Sequence, residues 1–243
     1  AQGYVPAAIS EVSAPPFDDV AEHNWIWGYD LTADIAMKNP YATSSAWIRS
    51  FSGDGYSAGT QVYSCINNLL YEKIPATDVR KGWWVDENLH SPLLAHVNWG
   101  GVTGDDVATL AIENVKLAFD PYTNVKFGMY TYGSTTNEED WPFMRVEEMI
   151  LIQAEAYIRA GQADKGKQIL EDFVKTYRDP AYSVAASKRR VEDEVWFQRR
   201  VELWGEGFAN ADTRRLNKNF VRFHDDNRNM PEAFRFNLDA NDP

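Results

Sequence analysis

The stretch "MRVEEMILIQAEAYIRAG", residues 144–161, decides how this chain is read. Val146, Met149, Ile150, Ala154 and Tyr157 recur at spacings of three and four, the period of an amphipathic helix. Pro142 suits the start of that helix and Gly161 its C-terminal cap. Yet the apolar run also holds Arg145, Glu147, Glu148 and Glu155. Charges inside a packed helix pair are costly unless matched by opposite charges. Their partners must therefore lie elsewhere in the chain.

A second helix follows in "QADKGKQILEDFVKTY" (162–177), with Ile169, Leu170, Phe173 and Val174 on its buried side, and Pro180 stops it. A third is predicted from about Ser187 to Gly207, with a stripe of Phe197, Val201, Trp204 and Phe208. The first two helices fill a little more than the roughly 34 residues of a tetratricopeptide unit. Small Ala154 and Gly166 stand where two such helices approach each other. One unit cannot bury its own apolar face, and no second copy is evident in the chain.

Ahead of this helical part the pattern changes. "AAISEVSAPPFDD", "FSGDGYSAGT", "HVNWGGVTGDD" and "TYGSTTNEEDWP" are turn-rich clusters. A helix is expected near residues 60–73, and Val107–Phe119 fits neither period. Trp25, Trp27 and Tyr29 alternate as on one face of a strand, for which core packing is the expected role. Cys65 is read as a small buried hydrophobe beside Val62, Ile66, Leu69 and Leu70. The expected architecture is mainly α: a tetratricopeptide-like helical scaffold with a loop-rich, aromatic-rich region and few short strands. Residues 1–143 form the loop-rich candidate ligand-binding region. Residues 144–243 form the helical region, with the helix pair at 144–180, and the two together make one structural domain.

Composition narrows the function. The 243 residues carry 24 Lys and Arg against 36 Asp and Glu, a net charge of −12. Such a chain exerts no long-range attraction on nucleic acid or anionic lipid. One cysteine excludes an internal disulfide and a thiolate cluster. No run approaches the ~20 apolar residues of a membrane span, and no signal peptide is visible at the start. "HDDN" (224–227) and "GDD" (104–106) lack calcium-loop spacing, and the four histidines are scattered, so no metal and no cofactor is expected.

Several motifs, in order, carry a family resemblance. They are "DVRKGWW" (78–84), "VKF" (125–127), "FMRVEEMILIQAEAYIRAG" (143–161) and "QRRVELWGEGFANADTRRL" (198–216), with "FRFNLDANDP" at the end. Upstream, "FDDVAEHNWIWGYDL" (17–31) agrees as well. The chain resembles the SusD-like (RagB/SusD) nutrient-binding proteins of the Bacteroidetes outer membrane, weakly over residues 1–75 and well over 76–243. It departs at Gln198, where the family has Glu, and at Leu238-Asp239, where it has Ile-Pro. Family members are also about twice as long. The resemblance implies part of a longer, surface-exposed lipoprotein whose leader and anchor cysteine lie outside this sequence. Such a protein captures an oligosaccharide or polysaccharide and passes it to a TonB-dependent, SusC-like transporter, without catalysis. Membrane contact would be through the lipid anchor only.

Sugar capture uses aromatic faces, because pyranose rings present apolar C–H patches. The candidate ligand-binding residues are Trp47, Phe51, Asp54 and Tyr56 in "WIRSFSGDGYSAGT", with Trp83 and Trp84, of which at most one reaches a ligand. Arg145, Glu148, Glu155, Arg199, Arg200, Glu202 and Glu206 are expected to be structural ion-pair partners. Two rivals stand beside this reading. A glycoside hydrolase could use paired carboxylates such as Glu147, Glu148 or Asp54, and a tetratricopeptide-type scaffold could bind peptides. Nothing resembles a nucleophile elbow, an H-E-x-x-H helix or a phosphate loop.

Overall fold

The computed structural model describes residues 3–13, 17, 19–32, 34, 64–96, 121–127, 140–218, 220–222 and 236–238. In chain order the elements are α1 (Ile9–Val12), β1 (Trp25–Tyr29), α2 (Asn68–Tyr71), β2 (Trp141–Arg145), α3 (Val146–Arg159), α4 (Ala163–Tyr177), α5 (Val191–Glu202), α6 (Phe208–Arg215), β3 (Phe220–Arg222) and β4 (Phe236–Leu238). Short 3₁₀ turns lie at Val79–Trp83, Pro92–His96 and Val184–Ala186. The architecture is mainly α, as expected, with two two-stranded antiparallel sheets, β1–β2 and β3–β4.

The helix read from 144–161 forms, but it starts at Val146 rather than near Pro142. Trp141–Arg145 is drawn into extended backbone by pairing with β1, in the register Tyr29 to Trp141 and Trp25 to Arg145. Proline is tolerated there because a two-stranded sheet leaves each strand an unpaired side. The junction is tied by the Val146 N–H donating to Asn24 O at 2.9 Å. Glu147 and Glu148 fall in the first turn, where the helix dipole favours carboxylates.

Gly161 ends α3 as read. Its φ of +78° is left-handed. The Gln162 N–H donates to Tyr157 O and the Gly161 N–H to Ile158 O, the double closure of a Schellman cap. Gly166 then lets α4 close on α3, since a Cβ there would lie 2.6 Å from Ala154 O and 2.5 Å from Ile158 Cγ1. Leu151, Ala154 and Ile158 meet Leu170, Phe173 and Val174 in one apolar cluster, completed by Tyr182 and Val195.

The third helix is shorter than its stripe suggested. It ends at Glu202, and Gly205 and Gly207 take φ values of +82° and +89°, which an α-helix cannot hold. Phe208 therefore opens α6 instead of extending α5. α5 lies between two cores. Val195 faces the α3–α4 cluster, while Phe197 and Val201 join a second one built on Ile66, Leu70, Ile74, Trp83, Trp84, Leu94 and Val125.

Two further expectations change. Only Asn68–Tyr71 of the 60–73 stretch is helical among the described residues, begun by the Asn67 side chain accepting from Leu69 N–H. Cys65 is exposed, not buried, and sits on an isolated bridge with Thr123. Val107–Phe119 lies outside the described residues.

Candidate functional site

Arg145 at the end of β2 and Glu147 in the first turn of α3 find their partners in one buried hub. Arg80, Lys126, Arg145 and Arg178 meet Asp78, Glu147, Glu202 and Glu206, one carboxylate for each cation. Glu202, fully buried, is the centre. It receives Arg178 Nε at 2.8 Å and Nη2 at 2.9 Å, Arg80 Nη1 at 3.2 Å and Arg145 Nη1 at 3.3 Å. Arg145 also forks onto Glu206, with Nε at 2.9 Å and Nη2 at 2.8 Å. Burial alone would raise the carboxyl of Glu202, but Arg178, Arg145 and Arg80 reverse this and hold it well below the usual range. Burial likewise acts upward on Glu206, and Arg145 and Lys126 outweigh it.

Lys126 shows the opposite balance. Burial pushes its ammonium down to about 8 despite Glu206. Its Nζ donates to Glu202 O, Trp204 O and Glu206 Oε1, and lies over the rings of Trp83, Phe17 and Phe127. The hub also grips the segment around Ala7. Ala7 N–H donates to Glu147 Oε1 at 3.0 Å, and Arg178 Nη1 donates to Ala7 O at 2.8 Å. Beside it lies a cavity of about 190 Å³ lined by Asn24, Trp83, Lys126, Arg145, Glu147 and Glu202, among others.

A second, shallower network joins Arg199 to Asp212 (2.7 Å), Asp212 to Arg215, Arg215 to Glu155, and Glu155 to Arg159. Of the residues expected to pair, Arg145, Glu155, Arg199, Glu202 and Glu206 do so. Arg200 lies over the ring of Trp196, 4.8 Å from its centroid. Glu148 has no ion pair within 4.0 Å among the described residues, and burial raises its carboxyl although Arg199 and Arg145 pull the other way.

The aromatic candidates separate. Trp47, Phe51, Asp54 and Tyr56 lie outside the described residues. Trp83 and Trp84 are 5% and 0% exposed. Their rings pack edge-on to each other, and Trp84 packs edge-on to Trp204 at 5.5 Å. Both indoles are packed in the core in this structure. The reverse correction applies to β1. Trp25 is core at 3% exposure, but Trp27 is 62% and Tyr29 42% exposed. Register shifts between Trp25 and Trp27, and between Trp27 and Gly28, break the simple alternation. Phe143 on β2 is 44% exposed and meets Trp27 edge-on at 5.1 Å, and Tyr29 lies 6.3 Å from half-buried Trp141.

Sequence reasoning missed Arg178, which carries no motif, and treated Glu147 only as a nominal catalytic acid. Arg80 and Lys126 were visible only as family positions. Asp78, Arg80, Lys126, Arg145, Gln198 and Glu202, drawn from four separate motifs, converge on this one hub. Gln198, the departure noted from the family's motif, accepts from Arg80 Nη2 at 2.6 Å and donates to Glu194 at 2.9 Å.

Comparison with known proteins agrees with this convergence. The model of the SusD family matches residues 118–241, just over half of the chain. The chain belongs to the SusD family. It is similar in fold to a SusD-like carbohydrate binding protein from Bacteroides vulgatus ATCC 8482 (TM-score 0.61, 22% identity, 98% of this chain and 44% of that one). It is also similar to a SusD homolog from Bacteroides thetaiotaomicron VPI-5482 (0.55, 20%, 88% and 41%). A SusD superfamily protein from Bacteroides fragilis gives 0.53 at 15% identity, over 99% and 45%. The chain thus spans less than half the length of each of these SusD relatives. No curated protein matches it.

Proposed function

We propose that this chain belongs to a non-catalytic, surface-exposed glycan-binding protein of the SusD type, which delivers its ligand to a TonB-dependent transporter. The observation that carries the reading is the fate of the family's charged motifs. Asp78, Arg80, Lys126, Arg145, Glu202 and Glu206 neutralise one another out of contact with solvent. They build a scaffold and leave recognition to side chains at the surface. Glu147 and Glu148, nominal acids for hydrolysis, support the same view. Glu147 is fully buried and held by Arg145, Arg178, Asn24 and Ala7, and Glu148 is 8% exposed. A glycosidase needs two carboxyls facing a sugar across a gap of ~5–10 Å, and two buried groups, Glu147 held by four partners, do not supply it. Family membership and the fold shared with a carbohydrate-binding relative point to glycan as the ligand class.

The test is native affinity electrophoresis of the full chain through gels containing single polysaccharides, paired with a reducing-end assay on the same material. Retardation by at least one glycan with no release of reducing ends is expected. Release of reducing ends, or retardation by none, overturns the proposal.

A further inference from the structure

Seven large apolar residues are exposed among the described residues, and Trp27, Tyr29 and Phe143 of these lie on the single β1–β2 sheet. All three are aromatic, and half-buried Trp141 adds a fourth ring. Trp27 and Tyr29 stand two apart on β1, about 7 Å along the strand. Each is braced by a ring from β2, Trp27 by Phe143 with planes at 63° and Tyr29 by Trp141 with planes at 57°. Trp27 meets Phe143 edge-to-face and Tyr29 meets Trp141 at a tilt, and the exposure of Trp27, Tyr29 and Phe143 leaves ring surface open to solvent. Exposed aromatic rows of this kind serve partners that present flat C–H patches and hydroxyls.

The polar residues around the row fix the charge of its partner. Exposed Asp30 follows Tyr29 directly. Asp140 precedes Trp141, with its carboxylate occupied by the N–H groups of Val20 and Leu31. Over 25–31 and 140–145 the single cation is Arg145, which is buried in the hub. Within these two stretches the row therefore offers a carboxylate to hydroxyls and no exposed cation to an anion, on a chain whose net charge is −12.

We infer that Trp27, Tyr29, Phe143 and Trp141 form a stacking platform for a short stretch of uncharged glycan, with Asp30 accepting from sugar hydroxyls. This inference rests on the glycan-binding reading above and adds the place and the ligand's charge.

The experiment uses the full chain, its Trp27→Ala/Tyr29→Ala double variant and its Asp30→Asn variant. Each is run in affinity gels containing starch, xyloglucan, galactomannan, polygalacturonate or chondroitin sulfate, and by isothermal titration with oligosaccharides of whichever glycan retards it. Circular dichroism and size-exclusion chromatography check folding and oligomeric state. Retention by a neutral glycan is expected, together with at least tenfold weaker binding in the double variant and an unchanged melting curve. Asp30→Asn should weaken neutral-glycan binding without conferring retention by either anionic polymer as strong as the neutral one. Neutral-glycan binding that survives the double substitution overturns the platform while leaving the glycan reading intact. Preferential retention by polygalacturonate or chondroitin sulfate overturns the assignment of charge. A double variant that instead changes from dimer to monomer, with glycan binding intact, shows a second copy to be the occupant. Binding of none of the five polymers by the unmodified chain removes the glycan reading and this platform together.

Discussion

Glu202→Gln tests the hub most directly. The substitution keeps shape and removes one charge. Arg80, Arg145 and Arg178 then face an amide that accepts through a single oxygen and sets its own NH₂ against a guanidinium. Removing one partner of a buried ion pair costs about 3–5 kcal/mol, because the remaining charge stays desolvated. Three guanidinia share this carboxylate, so the upper part of that range applies. At roughly 2–4 °C per kcal/mol for a chain of this size, the melting temperature should fall by about 10–20 °C. Urea unfolding followed by circular dichroism measures the loss. The pH dependence gives an independent check. Glu202 titrates below its ordinary 4.5 in the folded chain. Its contribution is therefore complete above that value and is lost as pH falls from there through the lowered folded value. The gap between parent and variant should be constant from pH 5 to 7 and close progressively in acid. A gap under about 1 kcal/mol at pH 7, or one that widens in acid, refutes the hub as the organising element.

Other outcomes follow from the same geometry. Lys126 is depressed from 10.5 to about 8, so between those values the unfolded chain holds the extra proton, and stability relative to Lys126→Met should rise with pH by up to about 1.4 kcal/mol per unit; paired urea titrations from pH 7 to 10 measure it, and a falling difference contradicts the account. Gly166→Ala should cost about 1–3 kcal/mol, since its Cβ would press on the backbone of Ala154; a stabilised variant in thermal melts would show that α3 and α4 do not touch there. Trp84→Ala should cost about 3–5 kcal/mol as a cavity in the core, with glycan affinity per folded molecule unchanged by titration.

The α3–α4 pair was legible because period, cap and small-residue contacts are local. Ala154, Gly161 and Gly166 announce themselves within thirty residues. The break after Glu202 was harder, since the apolar stripe runs on through Trp204 to Phe208 and only the two glycines argue against continuity. Pro142 looked like a helix start because the pairing of Trp141–Arg145 with β1 spans more than a hundred residues and leaves no local mark. The ion pairs were foreseeable in kind, since buried charges require partners, but not in detail. Nothing in the sequence near Arg178 says that its guanidinium reaches Glu147, Glu202 and Ala7. The aromatics failed for a different reason. Burial of an indole depends on what covers it, and the sequence treats Trp27 and Trp84 alike.

The double grip on Ala7 orders events in time. Its N–H and its carbonyl are held by residues 140 and 171 positions further on. The segment around Ala7 cannot be secured until Glu147 and Arg178 have emerged and docked. Closure is therefore a late, long-range step, which slows acquisition of the native state. Until it happens, the backbone at Ala7 lacks these two hydrogen bonds.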